Sequence, residues 1–262
     1  MPARWGQNFL ADPAWRRRVA SALAPQPQNQ ILEIGGGNGE LSALLAASGC
    51  GLTIVEMDPE LASALTARFA GERRIRVIAA DVLSLDWAAL APAPAAWRLF
   101  GNLPYYITGP ILGRFFRSVD RFTDATFMVQ REIAARLTAA PGPNYGRLSA
   151  AAQFFCRPRQ LFDVPPGAFR PRPKVWSSLI ALAVAGGPVL APTERDRFLS
   201  FLRLAFSQKR KRLVNNLKPG YPAARMAAAM AETGLAPPVR AEECPAATLW
   251  RLFRALQDRA GR

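Results

Sequence analysis

Asn102-Leu103-Pro104-Tyr105 brings an amide side chain, a turn-forming proline and an aromatic ring together within four residues, one glycine after the strand-like run Arg98 to Phe100. An Asn amide oxygen, the neighbouring backbone carbonyl and an aromatic ring suit a grip on the exocyclic amino group of a flat base, which is adenine N6 chemistry. Pro104 locks its own φ and stiffens the turn. A purely structural turn after an apolar strand would use the same proline, so these residues are read together with their surroundings.

A second group begins at Ile31-Leu32-Glu33-Ile34-Gly35-Gly36-Gly37-Asn38-Gly39, a strand-like run entering a glycine turn and then a helix-like stretch. Glycines there permit positive φ and let a ligand approach the backbone. A dinucleotide site would require G-x-G-x-x-G with the pyrophosphate on the helix N-terminus. Counted from Gly35 the third glycine position is Glu40, and counted from Gly36 the second is Asn38, so that fingerprint fails. Carboxylates gather instead at successive strand ends: Glu33, then Glu56 and Asp58, then Asp81. In a chain of net charge +15, this clustering suits a cationic ligand that carries hydroxyls and an amino-bearing base. S-adenosylmethionine has those groups and no phosphate. Glu56 follows Gly35 by 21 residues (56 − 35), the placement for ribose hydroxyls, and Asp81 is positioned to accept from the adenine amino group.

The elements that must position these groups recur along the chain. Runs rich in Ile, Val, Leu and Phe fall at Ile31 to Ile34, Leu52 to Val55, Arg76 to Ala79, Arg98 to Phe100 and Thr126 to Val129. Helix-like stretches lie between several of them, at Gly39 to Ser48, Pro59 to Ala70 and Pro110 to Arg117. Such alternation predicts an α/β fold built on a parallel sheet, with ligands at the carboxyl ends of its strands. Two further strands, Gln160 to Val164 and Ser178 to Val184, flank the Pro-rich segment Pro165 to Pro173 and are expected to pair antiparallel. From Pro192 the pattern turns helical: Glu194 to Phe206, Lys209 to Leu217, Ala223 to Glu232 and Ala246 to Leu256. The linker composition of Ala185-Gly186-Gly187-Pro188 divides the chain into residues 1–187 and 188–262, and the Ala/Pro stretch Ala88 to Ala96 reads as a surface excursion.

Composition narrows the chemistry. The chain has no histidine, which removes Ser-His and Cys-His nucleophiles and the commonest metal ligand. Cys50, Cys156 and Cys244 are too scattered for a disulfide framework or a zinc site and are expected to be small buried hydrophobes in a reducing cytosol. Thirty of the 34 basic residues are Arg, whose planar fork suits phosphate and stacks on bases, so a polyanionic partner is expected. No apolar run reaches the roughly 18 residues of a membrane span, and Met1-Pro2-Ala3-Arg4-Trp5 does not read as a signal peptide; a soluble, cytoplasmic protein is expected.

With these positions assembled, the chain resembles the ribosomal RNA adenine N6-dimethyltransferases of the KsgA type. The matching segments run almost from end to end: Gly6-Gln7-Asn8-Phe9-Leu10, Glu33-Ile34-Gly35 with its glycines, Val55-Glu56, Ala80-Asp81-Val82, Gly101 to Tyr105, Gln130-Arg131-Glu132, Tyr145 to Ser149, Val164 to Phe169 with Pro171 to Val175, and Phe206 to Lys211. In this order they are specific. The resemblance implies a class I S-adenosylmethionine-dependent methyltransferase (Rossmann-like) catalytic domain and a small all-α C-terminal RNA- or ribosome-binding domain. It implies cofactor contacts from Asn8, Leu10, Gly35, Glu56, Asp81 and Asn102, with Gly37 a further candidate in the same turn. The implied substrate is a pair of adjacent adenosines, each methylated twice, in the 3′-terminal hairpin of 16S rRNA. The expected partner is that RNA in an immature 30S subunit, met by a monomer with no membrane and no metal. Three positions depart from the family pattern: Tyr106 where Asn is frequent, Gly36 where Pro is frequent, and Trp176 where a polar residue is usual. The arm before Gly6 is short, with Arg4 its one basic residue.

On this reading Asn102 and the Leu103 carbonyl accept the two N–H bonds of N6, Pro104 holds the turn, and Tyr105 and Phe169 stack on the flipped base. Transfer is in-line displacement at the sulfonium methyl, and it depends on alignment. Arg170, Arg172, Lys174, Lys209, Arg210, Lys211 and Arg212 are the candidate phosphate contacts, the ordinary reading of such runs being a solvated face. The rivals are an Erm-type 23S rRNA adenine methyltransferase that confers antibiotic resistance, a non-catalytic RNA-binding assembly factor, and a dehydrogenase, the last of which fails on the phosphate loop. The Tyr145 to Ser149 and Phe206 to Arg212 segments and Arg240-Ala241-Glu242 resemble the small-subunit group better than the Erm type.

Overall fold

Two Asp-Pro pairs start helices in this chain, and the physical reason is the same at each. The aspartate caps N–H groups that have no partner within the helix, and proline gives up an N–H that would be unpaired there in any case. The computed structural model describes residues 7–92, 97–186 and 190–258. Arg4, Gly6, residues 93–96 of the expected surface excursion and the boundary at Gly187 lie outside the described residues.

The chain opens with a two-residue strand, β1 (Phe9–Leu10), and α1 (Pro13–Leu23), whose first turn is capped by Asp12. Strand and helix then alternate through β2 (Gln30–Ile34), α2 (Glu40–Ala46), β3 (Gly51–Glu56), α3 (Pro59–Arg68), β4 (Ile75–Ala79), α4 (Trp87–Leu90), β5 (Trp97–Asn102), α5 (Thr108–Arg117) and β6 (Phe122–Gln130). After α6 (Arg131–Thr138) and α7 (Arg147–Phe155) come β7 (Cys156–Val164), β8 (Phe169–Arg170) and β9 (Ser177–Val184). Four helices follow: α8 (Pro192–Ala205), α9 (Leu213–Leu217), α10 (Ala223–Thr233) and α11 (Ala246–Asp258).

Seven strands form one sheet in the order β4-β3-β2-β5-β6-β9-β7. From β4 to β6 all neighbours are parallel, and β9 runs antiparallel to β6. The two late strands are sheet neighbours, β7 forming the edge beside β9. Strand order reverses between β2 and β5, which makes the crevice beyond their carboxyl ends the place for a ligand. β1 and β8 pair antiparallel as a separate two-stranded ribbon, Leu10 opposite Phe169. The strands bury Ile31, Leu52, Ile54, Phe100, Met128 and Leu179 in one apolar cluster. This is a class I methyltransferase fold.

The described chain divides into two compact units, residues 1–134 with 158–184 and residues 135–157 with 185–262. The division drawn from composition assigns 135–157 to the first domain, whereas their contacts place them with the C-terminal helices. The cause is aromatic packing: Phe154 on α7 lies 4.6 Å from Phe198 of α8 and 4.9 Å from Trp250 of α11, ring centroid to centroid. The helix expected over Lys209 to Leu217 is shorter than its pattern. Residues 209–212 form a turn in which Arg210 has φ 66° and donates its N–H to Glu242 Oε1 at 3.1 Å, and α9 begins at Leu213. A side chain 32 residues away supplies the partner that a helical carbonyl would have supplied. Cys50, Cys156 and Cys244 are free and buried. No helix among the described residues is long and apolar enough to cross a membrane.

Candidate active site

The paired run of β2 and β5 ends at Ile34 and Gly101, and the residues just beyond, Gly35 and Asn102, line the site. Ile34 and Gly101 are register partners, and a Cβ on Gly101 would lie 2.7 Å from Leu103 Cδ2 and 3.1 Å from the Ile34 carbonyl oxygen, so the packing at this glycine is tight. Asn102 follows as the last residue of β5. Its Nδ2 donates to the Asn8 carbonyl at 2.9 Å. That bond consumes an amide N–H, fixes the orientation of the side chain and leaves Oδ1 as an acceptor at the cleft that Asn102 lines.

Leu103 is buried, and its N–H donates to the Met128 carbonyl at 3.1 Å, which anchors the turn to β6. Pro104 has φ −55° and ψ 133°, and its carbonyl receives Ile107 N–H at 3.1 Å and Thr108 Oγ1 at 3.2 Å. The chain thereby tightens into a 3₁₀ turn over Tyr105–Ile107 and runs into α5. The half-buried Tyr105 is held by its hydroxyl, 2.9 Å from Ser177 Oγ at the start of β9. Burial raises its pKa, and the Ser177 hydrogen bond opposes the shift. The four residues read as catalytic candidates are thus tied to β1's approach, β6 and β9.

Two adjoining cavities share Gln7, Gly35, Glu56 and Pro104 in their walls. Glu56 is buried between them. Its Oε2 accepts Gly37 N–H at 2.9 Å, and its Oε1 accepts Asp58 N–H at 3.0 Å and a long contact from Gln7 Nε2 at 3.5 Å. Gly37 makes its bond at φ 54°, with the Phe9 ring 3.0 Å from where a Cβ would stand. Gly35 (φ 78°) donates to the Val55 carbonyl at 2.8 Å. The glycine turn is folded around the Glu56 carboxylate.

The larger cavity also contains Asn8, Leu10, Arg16, Glu33 and Glu40. Glu33 is 2% exposed, and its Oε2 has no hydrogen bond of ordinary geometry. Burial pushes its pKa to about 7, with the Ser42 hydroxyl pulling down and the Glu56 charge pushing up. Arg16 pairs with Glu40 and is the one cation among the described residues lining this cavity. The smaller cavity is walled by Met57, Val82, Ile107, Tyr106 and Asp81. Asp81 Oδ1 accepts Leu83 N–H at 2.9 Å, and no hydrogen bond from the described residues engages Oδ2. Asp58 is used differently from the expectation: it caps α3, accepting from Glu60 N–H at 2.9 Å.

Two expectations for the substrate side need revision. Phe169 is 1% exposed and belongs to the core cluster with Leu10, Val19 and Val164, so its ring is not available to stack on a base. Its pairing with Leu10 in the β1–β8 ribbon, between residues far apart in sequence, is what buries it. Arg170 Nη1 donates to the carbonyls of Gly167 at 3.1 Å and Phe169 at 2.8 Å, so part of its fork serves its own loop. Arg172 and Lys174 are exposed on the first unit, and Lys209, Arg210, Lys211 and Arg212 are exposed on the turn of the second.

Sequence reasoning passed over Gln7, Arg16, Met57, Val82 and Ile107 as site residues. Gln7 stood within a quoted motif and could have been found. Arg16 sits in the run Arg16-Arg17-Arg18, where no spacing distinguishes it from its neighbours.

Comparison with known proteins fits this geometry. A family model described as ribosomal RNA adenine dimethylase matches residues 2–258. A ribosomal RNA small subunit methyltransferase A of Acidobacterium capsulatum is 41% identical, over 97% of this chain and 91% of its own length. Its counterpart in Pseudomonas fluorescens is 38% identical, over 97% and 93%. Among solved structures, the 23S rRNA methyltransferase ErmE superposes with a TM-score of 0.70 at 28% identity, covering 95% of this chain and 100% of that one. A dimethyladenosine transferase from Plasmodium falciparum has a TM-score of 0.78 at 21% identity, covering 96% and 98%, and bears on the fold.

Proposed function

The chain belongs to the ribosomal RNA adenine dimethylase family and is an rRNA adenine dimethyltransferase; from that premise we propose that it uses S-adenosylmethionine to dimethylate N6 of two adjacent adenosines in the 3′-terminal hairpin of 16S rRNA. The acting species in this reading is a cytoplasmic monomer that meets the RNA in an immature 30S subunit. The observation that carries the reading is the Asn102 amide, whose Nδ2 is spent on Asn8 and whose Oδ1 is left to accept at the cleft.

The residues present suit the cofactor. Glu33 offers a buried, unpartnered carboxylate oxygen to an ammonium, and Arg16 offers the cleft's cation to a carboxylate. Glu56 receives three contacts on its two oxygens, the Gln7 contact being long enough to yield to a ribose hydroxyl. Asp81 Oδ2, beside Met57, Val82 and Ile107, matches an adenine with its amino group. When bound, the cofactor supplies an electrophilic methyl on a positively charged sulfur.

The chain's own contribution is alignment. Adenine N6 is a poor nucleophile because its lone pair is delocalised into the ring. Asn102 Oδ1 and the Leu103 carbonyl accept its two N–H bonds and favour a pyramidal nitrogen. Pro104 restricts the backbone of Leu103 before it and so limits the direction of the Leu103 carbonyl. Tyr105, pinned by Ser177, bounds the base on the rim. Holding the reacting atoms in line can be worth several kcal/mol, and once the nitrogen is cationic solvent can take its proton.

The Erm-type reading has less support: ErmE is 28% identical to this chain, against 41% and 38% for the small-subunit relatives. Incubation with unmodified small subunits and labelled cofactor, followed by nucleoside analysis and mapping, tests the proposal. Dimethyladenosine at two neighbouring positions of the 3′-terminal hairpin is expected. Asn102→Ala is expected to lower turnover about a hundredfold while RNA affinity changes little. Label in the 23S rRNA of unmodified large subunits offered in parallel, or no label in the small subunits, would refute the assignment.

A further inference from the structure

We propose that Trp176, backed by Arg131, is a stacking platform for an unpaired base of the RNA beside the adenosine held at Asn102. This rests on the reading of the site as an RNA methyltransferase.

Trp176 is 43% exposed and Val175 42%, directly after the exposed Arg172 and Lys174. One exposed aromatic residue needs no explanation in itself. Here, however, Arg131 meets the residue at two points, its backbone and its ring. The Trp176 carbonyl accepts Arg131 N–H at 2.9 Å, and the Arg131 guanidinium lies 5.7 Å from the centre of the indole. The surroundings place it at the reaction site. Ser177, the next residue, is buried, and its hydroxyl holds Tyr105 of the catalytic turn at 2.9 Å. Ser177 is the register partner of Gln130, the last residue of β6, and β6 is the strand beside β5, which ends at Asn102. The platform thus stands on the carboxyl rim of the sheet, one residue from the group that anchors the base-binding tyrosine.

The chemistry of the surface selects the occupant. An indole face accepts any base, since every base has a π face, and a guanidinium against the ring adds cation–π attraction and a phosphate donor. Arg172 and Lys174 add positive charge to the same loop. A protein partner would favour an apolar patch with a polar rim, whereas this ring is set among cations. Phe169 is buried in the core, and outside the turn at Tyr105–Ile107 the exposed aromatic ring among the described residues is Trp176.

Kinetics on small subunits test this. Trp176→Ala is expected to raise KM and Kd for the subunit about tenfold, with turnover within twofold of wild type and cofactor affinity unchanged. Trp176→Phe is expected to recover most of the loss, which separates stacking from misfolding. The log–log salt slope of binding should not change, because no phosphate contact is removed. In subunits reconstituted with an abasic nucleotide next to the target adenosines, one position should weaken the wild type as much as Trp176→Ala does, and should not weaken the variant further. The platform is overturned if Trp176→Ala binds as wild type does, if no abasic position couples to it, or if the loss appears only when ribosomal proteins are present. Wild-type protein inactive on unsubstituted subunits would overturn the methyltransferase reading and the platform with it.

Discussion

Glu33 stands next to last on β2, buried, with one carboxylate oxygen lacking an ordinary hydrogen bond. Burial raises its pKa from 4.5 to about 7. For a carboxyl shifted upward, the folded state binds more protons than the unfolded state between those two values. Stability therefore declines as pH rises through that window, with no penalty below 4.5 and the full penalty above 7. Glu33→Gln should consequently be more stable than wild type at pH 8, by on the order of 3 kcal/mol, and no more stable near pH 4. A cationic ligand reverses the preference, because it favours the ionised form. Wild-type affinity for S-adenosylmethionine should rise with pH up to about 7 and then level off, while the variant binds more weakly with a flat profile. Denaturation and calorimetry across pH 4 to 8 check both; parallel pH profiles for the two proteins would show that Glu33 does not meet the ammonium.

At the scale of elements, Gly101 decides whether β5 delivers Asn102 to the cleft. A methyl there would meet Leu103 Cδ2 at 2.7 Å, the Ile34 oxygen at 3.1 Å and Ile34 Cβ at 3.3 Å. The leucine can turn away, but the neighbouring strand's backbone cannot. Gly101→Ala should cost about 1–3 kcal/mol in denaturant unfolding and should lower turnover more than RNA affinity, since Asn102 is the next residue to move. Gly109 in α5 has open space around it, so Gly109→Ala is the control: it should leave turnover unchanged and hold or raise stability, by up to about 1 kcal/mol. A Gly101→Ala protein with wild-type stability and rate would mean that the strand gap accommodates the methyl. The helices, by contrast, follow from local signals. Asp12-Pro13 and Asp58-Pro59 cap and start α1 and α3 as their residue types dictate. Lys209 to Arg212 also have a helical pattern, and Glu242 overrides it by taking the Arg210 N–H.

For the whole molecule the governing quantity is the +15 charge, carried on both compact units. The turn at residues 209–212 concentrates four cations in exposed positions on the second unit. Reversing all four to Glu should weaken RNA binding more than tenfold near 0.15 M salt and make the log–log slope shallower by as much as about 3, at about 0.7 per phosphate lost. Cofactor affinity, which belongs to the first unit, should not change. An unaltered slope in a salt titration would show that these cations only solvate the surface.

The chain's local order specified a great deal of this protein: the alternation of strands and helices, the glycine turn, the carboxylates at successive strand ends and the Asn-Leu-Pro-Tyr turn are all patterns within a few residues of one another. Period, capping and turn chemistry act over that range, so they can be read from a line of residues. Tertiary structure decided the rest. It buried Phe169 through a strand pairing with Leu10, set Arg16 against Glu40 at the cleft, returned α7 to the C-terminal helices and spent the Asn102 amide on Asn8. Each depends on which distant segment supplies a hydrogen-bond partner or removes a side chain from water, and local spacing holds no record of that choice.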